Sequence, residues 1–189
     1  MSQTWLNNAR GLAKGTVLAS AELANLSPAI IAHNSTTTST VVSALEQFQE
    51  CVRYLNTRRS KGAVINIKNE DDLQDVIYLM LRSWITDLVP ENPIDRTASR
   101  VVIEDFVSRS LKTVIEAKFI RDKKHGRLVT KELHDDIETY RNHQYCSQLV
   151  FFIYDPSVMI PDTLALKRQI EGERIFDGRR LSVRCVIKP

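Results

Sequence analysis

The run Leu149 to Tyr154, LVFFIY, places the strongest constraint on how this chain can fold. Its residues are apolar or aromatic at every position, so a strand built from them has no face to offer water. Such a strand belongs at the centre of a sheet that carries helices on both sides. The remaining chain must therefore supply covering helices and neighbouring strands.

Several segments fit that demand. Val41, Leu45, Phe48, Cys51, Val52 and Leu55 fall on one helical stripe, which ends in the basic run Arg58 to Gly62. Asn69 is a good N-cap, and Glu70, Asp71 and Asp72 suit the positive end of a helix whose buried stripe is Leu73, Val76, Ile77, Met80, Leu81 and Trp84. Pro90 and Pro93 read as punctuation after it. Val101 to Val107 and Leu111 to Ile120 predict a hairpin joined at Ser108 to Ser110. Thr130 to Asn142 predicts a helix, residues 162–171 another, and Leu181 to Ile187 a closing strand. The reading is an α/β fold with a central mixed sheet flanked by helices. Residues 1–62 form a helical N-terminal extension, with a first helix around Trp5 to Ala13, and residues 63–189 form the main domain.

Charge and cysteines narrow the classes. A net charge of +3 permits contact with nucleic acid only through a local basic surface. Cys51, Cys146 and Cys185 are widely spaced and read as free thiols of a cytoplasmic protein. No apolar run reaches the ~18 residues of a membrane span, and no signal-peptide layout begins the chain. His125, His134 and His143 have no metal-ligand spacing, and Asp155-Pro156 reads as turn chemistry.

Within the hairpin three residues call for explanation. Side chains alternate along T-V-I-E-A-K-F-I, so Ile115, Ala117 and Phe119 share one face while Glu116 and Lys118 share the other. Asp105 is likewise set among apolar residues of its strand. Charges in such strands are costly unless they are paired or bound to metal. Phosphodiester hydrolysis needs this combination: hard oxygen ligands for a divalent cation, and an amine beside them. Lys118 could stabilise charge, or accept the water's proton if burial lowers its pKa. The basic cluster Arg121, Lys123, Lys124, Arg127 and Lys131 follows at once and suits backbone phosphates.

Asp105, ten intervening residues, then Glu116-Ala117-Lys118 resembles the D-x(n)-E-x-K core of the PD-(D/E)XK nuclease superfamily. Further segments are similar to one branch, the domain named after GATC-cutting type II restriction enzymes of bacterial and phage-defence proteins. They are Glu70-Asp71-Asp72-Leu73-Gln74, Asp136-Ile137-Glu138-Thr139-Tyr140 with His143 and Cys146, Leu149 to Pro156, and Val183 to Pro189. The likeness covers about residues 66–189. It implies a restriction-endonuclease-like fold and Mg²⁺ (Mn²⁺ as a substitute) held by Asp105, Glu116 and the Ala117 carbonyl. It also implies a further carboxylate from Glu70, a cleft lined by Asp136 and Tyr140, and products with 5′-phosphate and 3′-hydroxyl ends. Tyr140 joins the basic residues as a nucleic-acid contact. The sequence departs from the pattern at Ile103, where an arginine is usual, and at Glu132, where a glutamine is usual; Glu104 is an alternative ligand.

The expectation is a metal-dependent endonuclease acting on DNA rather than RNA in a restriction or anti-phage setting. Two other readings compete. The chain could be a nuclease-fold subunit that docks a larger ATPase or sensor, or forms a homodimer, through its N-terminal helices. It could also be a binder whose Asp105, Glu116 and Lys118 form only a surface salt-bridge network.

Overall fold

The computed structural model describes residues 37–57, 65–93 and 103–189, with 91–93 and 103–104 described by backbone alone. The expected helix around Trp5 to Ala13, the basic run Arg58 to Gly62, and Val101 and Val102 at the start of the expected hairpin lie outside these residues. From Thr36 to Pro189 the chain forms one compact unit.

LVFFIY does sit centrally. The described strands are β1 (Leu88–Pro93), β2 (Ile103–Ser108), β3 (Thr113–Phe119), β4 (Gln148–Tyr154), β5 (Gly172–Phe176) and β6 (Arg179–Lys188). They form a mixed six-stranded sheet in the order β1-β2-β3-β4-β6-β5. The outer pairs are antiparallel, while β3, β4 and β6 run parallel, so Phe119, Tyr154 and Lys188 end level with one another.

Helices cover both faces, as the apolar run requires. On one face lie α1 (Thr38–Glu46), α2 (Phe48–Thr57) and α3 (Glu70–Arg82). Their Val41, Leu45, Phe48, Val52, Leu73, Ile77 and Leu81 pack on Ile115, Ala117, Val150, Phe152 and Val186. On the other face lie α4 (Lys123–Tyr140) and α5 (Thr163–Ile170). There Val129, Leu133, Ile137, Leu166 and Ile170 meet Val114, Leu149, Phe151, Ile153 and Val183. Burying one such side chain contributes about 1.5–3 kcal/mol, so the two layers are the main hold on the sheet.

Several expectations change. Residues 41–55 form two helices, broken at the C-cap Gln47. Their stripe packs on the sheet of the same chain, so it is not a free face for a partner. The turn at Gln47 rotates the second helix, and Cys51 is exposed, whereas Cys146 and Cys185 are buried. Burial pushes the Cys185 thiol up to about 12, away from reactivity. Pro90 and Pro93 lie within β1, an edge strand, where a missing N–H is tolerated.

Helix α4 begins seven residues before the expected Thr130, capped by Asp122, whose side chain accepts from the His125 N–H. Within this first stretch Gly126 sits where a Cβ would lie 2.5 Å from the Met159 carbonyl oxygen. It permits close approach of helix and loop. The hairpin of β5 and β6 was also not foreseen. It turns at Asp177 and Gly178, both with positive φ, a recognised Asp-Gly hairpin signal.

Candidate active site

The β2–β3 ladder runs Ser108↔Thr113, Val107↔Val114, Phe106↔Ile115 and then stops. One step further Asp105 stands across from Glu116. Beyond the last rung the Ala117 N–H donates to Asp105 Oδ2, at 2.7 Å, instead of to a strand carbonyl. The two strands therefore open into a fork whose first side chains are the two carboxylates.

Alternation assigns the other groups. Glu116 and Lys118 lie on the α4 side, while Ile115 and Ala117 are in the opposite core. Glu116 is buried and accepts a short hydrogen bond from the Tyr140 hydroxyl. Lys118 Nζ lies 3.2 Å from Asp136 Oδ2 and 3.7 Å from Glu116 Oε2. From the other face α3 reaches the same opening: Glu70 Oε2 accepts from the Phe119 N–H at 3.1 Å, and Gln74 hydrogen-bonds Asp105. The α3 start that makes this possible is fixed by Asn69, whose side chain accepts from the Asp72 N–H at 2.8 Å.

Negative charge dominates. Burial pushes the Asp105 carboxyl up, against the Ala117 N–H and Lys118, and Glu70 adds repulsion. Burial and then the Asp105 charge push Glu116 up as well. Asp136 is raised by burial, although Lys118 opposes it. Burial works to lower the Lys118 ammonium, but Asp136, Glu116, Glu70 and Asp105 outweigh it and hold its pKa above that of an ordinary lysine. The condition under which Lys118 could accept the water's proton, a pKa lowered by burial, is therefore not met. Four carboxylates around one ammonium leave the fork short of positive charge.

That shortage fits a divalent cation. Among the described residues no three His, Cys, Asp or Glu side chains form a ready-made cage. Two strand carboxylates and a main-chain carbonyl would leave about half of an octahedral shell to water, which is how Mg²⁺ is commonly held. Asp105 carries the described contacts; the side chain of Glu104 is outside the description.

The nucleic-acid candidates separate. Arg121, Lys123, Lys124 and Arg127 are exposed. The three beyond Arg121 lie on the first turns of α4, where the helix dipole adds to their charge. Tyr140 differs: it is 2% exposed and supports Glu116 from within, so it offers no surface to a strand of DNA. A cleft of about 310 Å³ beside the fork is lined by Lys68, Glu70, Lys118, Arg121, His125 and Glu132 among others. His125 Nε2 lies 3.2 Å from Glu132 Oε2, and the Arg121 N–H donates to His125 Nδ1 at 3.4 Å. Sequence spacing does not reveal this pair, because the apolar pattern starts the helix at Thr130, after His125.

A mixed sheet between helix layers, opened by a fork on its second and third strands, is the restriction-endonuclease-like fold. A family model described as REase DpnII-MboI matches residues 39–188. The chain belongs to this DpnII-MboI restriction endonuclease family, whose class activity is endonucleolytic cleavage of DNA. The match takes in α1 and α2 together with the sheet. No curated protein and no solved structure matches the chain. No helix among the described residues is long and apolar enough to cross a membrane.

Proposed function

We propose that the chain is a Mg²⁺-dependent DNA endonuclease that cuts at the fork. The observation that carries this reading is the facing of Asp105 and Glu116 at the point where the β2–β3 ladder ends, with Lys118 on the next outward position of β3. Asp105, Glu116 and the Ala117 carbonyl would hold the ion, with Mn²⁺ a workable substitute. Bound there, it would neutralise phosphate charge and polarise the phosphoryl oxygen.

The chain's own groups do the rest. The Ala117 N–H and Gln74 fix the orientation of Asp105, and Tyr140 fixes that of Glu116. Lys118, kept protonated by its carboxylate neighbours, sets a positive charge beside the phosphoryl group and donates to the attacking water or to a phosphate oxygen. It does not serve as the base. Glu70 adds a fourth carboxylate at the mouth. Arg121, Lys123, Lys124 and Arg127 hold backbone phosphates. A restriction or anti-phage role in a bacterial cytoplasm is the setting that fits such an activity, and DNA is preferred over RNA because of the family.

Plasmid cleavage with Mg²⁺, with EDTA, and by Asp105→Asn, Glu116→Gln and Lys118→Met tests the assignment. Cutting that needs Mg²⁺ and fails in all three variants supports it. Equal cutting by wild type and variants excludes this fork as the site.

A further inference from the structure

The loop from Asp155 to Ile160 holds a residue whose backbone and side chain are both out of place. Val158 has φ of +50°, a left-handed conformation that β-branched residues rarely adopt. It is 71% exposed, so no burial among the described residues offsets the strain. The conformation is nevertheless imposed firmly. Asp155 is buried and accepts from the Met159 and Ile160 N–H groups, each at 2.8 Å, while the Asp155 N–H is fixed to the Lys188 carbonyl at 2.7 Å. Met159 is seated against Gly126 in the first turns of α4. The loop is thus a rigid mount, and what it displays is an apolar side chain. Strain kept at an exposed, over-determined position points to a contact beyond the described residues.

Its place in the sheet says which contact. Val158 shares a shallow groove with Leu164, itself 65% exposed, and with Ile187. Ile187 pairs in register with Ile153, and Ile153 with Lys118, across three parallel strands. Ile153 and Ile187 pack with the α4 layer, the side of the sheet that Lys118 also faces. Two strand spacings separate Lys118 from Ile187, about 10 Å. That is less than the roughly 12 Å width of a DNA major groove. The basic first turns of α4, with Lys123, Lys124 and Arg127, adjoin the same loop through Gly126. A duplex held by these basic turns would lie beside the loop that carries Val158.

Resting on the endonuclease reading above, we propose that Val158, backed by Leu164, is an apolar knob that presses into a groove of the bound duplex and sets where along it the cut falls. Apolar side chains recognise thymine methyl groups or wedge against base steps, and both discriminate sequence without a charge.

Glycine and asparagine suit a positive φ, so Val158→Gly and Val158→Asn should melt at or above the wild-type temperature. They should also bind DNA about ten-fold more weakly. Val158→Leu keeps the apolar bulk and should keep most of the affinity. Affinity is read by anisotropy on labelled 30-base-pair duplexes tiled across a plasmid, in Ca²⁺ to prevent cutting, with cleavage positions mapped separately in Mg²⁺. Weaker binding by the two stable variants, with rescue by leucine, supports the knob. Unchanged affinity and unchanged cut positions overturn it, as does failure of the wild-type chain to bind any duplex. Wild-type binding without cleavage would count against the nuclease reading while the knob is still judged by affinity. Concentration-dependent dimers lost in Val158→Gly, with DNA affinity intact, would assign the knob to a second copy and reject the proposal.

Discussion

The two ends of the β2–β3 hairpin hold acids under opposite conditions. At the closed end Asp87 accepts from the Ser108 hydroxyl at 2.7 Å, the Ser110 N–H at 2.7 Å and the Ser110 hydroxyl at 3.0 Å. Burial raises its pKa, but these donors outweigh it and the carboxyl is held below its usual range. At the open end Asp105 and Glu116 have fewer donors, more burial and each other's charge, and both are raised. The same residue class, set against the two ends of one hairpin, is satisfied in one place and left wanting in the other. An acid with all its donors holds a turn together. A pair of under-supplied acids is a vacancy for positive charge.

The largest expected effect follows from exchanging the two cases. Glu116→Gln or Asp105→Asn should lower cleavage by ~10³-fold or more, comparable to losing a preorganised charge-stabilising group. Neither should lower the melting temperature, since each removes repulsion. Asp87→Ala should do the reverse, leaving the cleavage rate near wild type and costing about 1–3 kcal/mol by stranding Ser108. Rates and thermal melts on the same preparations decide this; a loss of activity in Asp87→Ala without a fall in melting temperature breaks the comparison.

Next in size is Lys118→Met, expected to reduce cleavage about 10²-fold and also to destabilise the metal-free protein, because the surrounding carboxylates lose their cation. Added Mg²⁺ should recover the melting temperature but not the rate. Recovery of the rate would show that Lys118 only balances charge.

Proton linkage sharpens the contrast further. Asp87, with a lowered pKa, contributes stability above its unfolded value and loses it as the pH falls through the folded one. Asp105 and Glu116, with raised pKa values, contribute stability below the unfolded carboxylate range and lose it as the pH rises toward about 8. The metal-free protein should therefore weaken on both sides. Mg²⁺ needs the deprotonated pair, so the melting-temperature gain from Mg²⁺ should be greater at pH 8 than at pH 5.5, and Glu116→Gln should flatten that difference. A gain independent of pH in the wild type would place the ion elsewhere.

The smallest effect belongs to the basic turns of α4. Lys123→Ala and Lys124→Ala should each weaken DNA binding only a few-fold, and each should reduce the slope of log affinity against log salt by about one. An unchanged slope would remove them from the phosphate path.

How far the sequence disclosed this arrangement depended on whether the governing force was local. Leu149 to Tyr154 and the alternation in Thr113 to Phe119 are burial patterns, and the central strand and the two sides of β3 were legible. Asn69 announced the start of α3 through its capping chemistry. Pro90 and Pro93 misled because their tolerance depends on lying at a sheet edge, which only the assembled sheet decides. The true start of α4 was hidden because the Met159 carbonyl that requires Gly126 is far along the chain. In the candidate site Asp105, Glu116 and Lys118 could be named from spacing and family likeness. The buried role of Tyr140, the His125–Glu132 pair and the upward shift of Lys118 arise from long-range packing that no local pattern encodes. The Asp177-Gly178 turn was readable and went unread.

The order β4-β6-β5 has a bearing on how the protein is made. Strand β6 is translated after the other described strands, yet it is inserted beside β4 in the interior. A nascent chain halted before Arg179 would leave the apolar β4 with a bare edge, a template for aggregation rather than a stable platform. A chain assembled this way has no lasting partial form, and the fork on β2 and β3 gains firm support only once synthesis has passed β6.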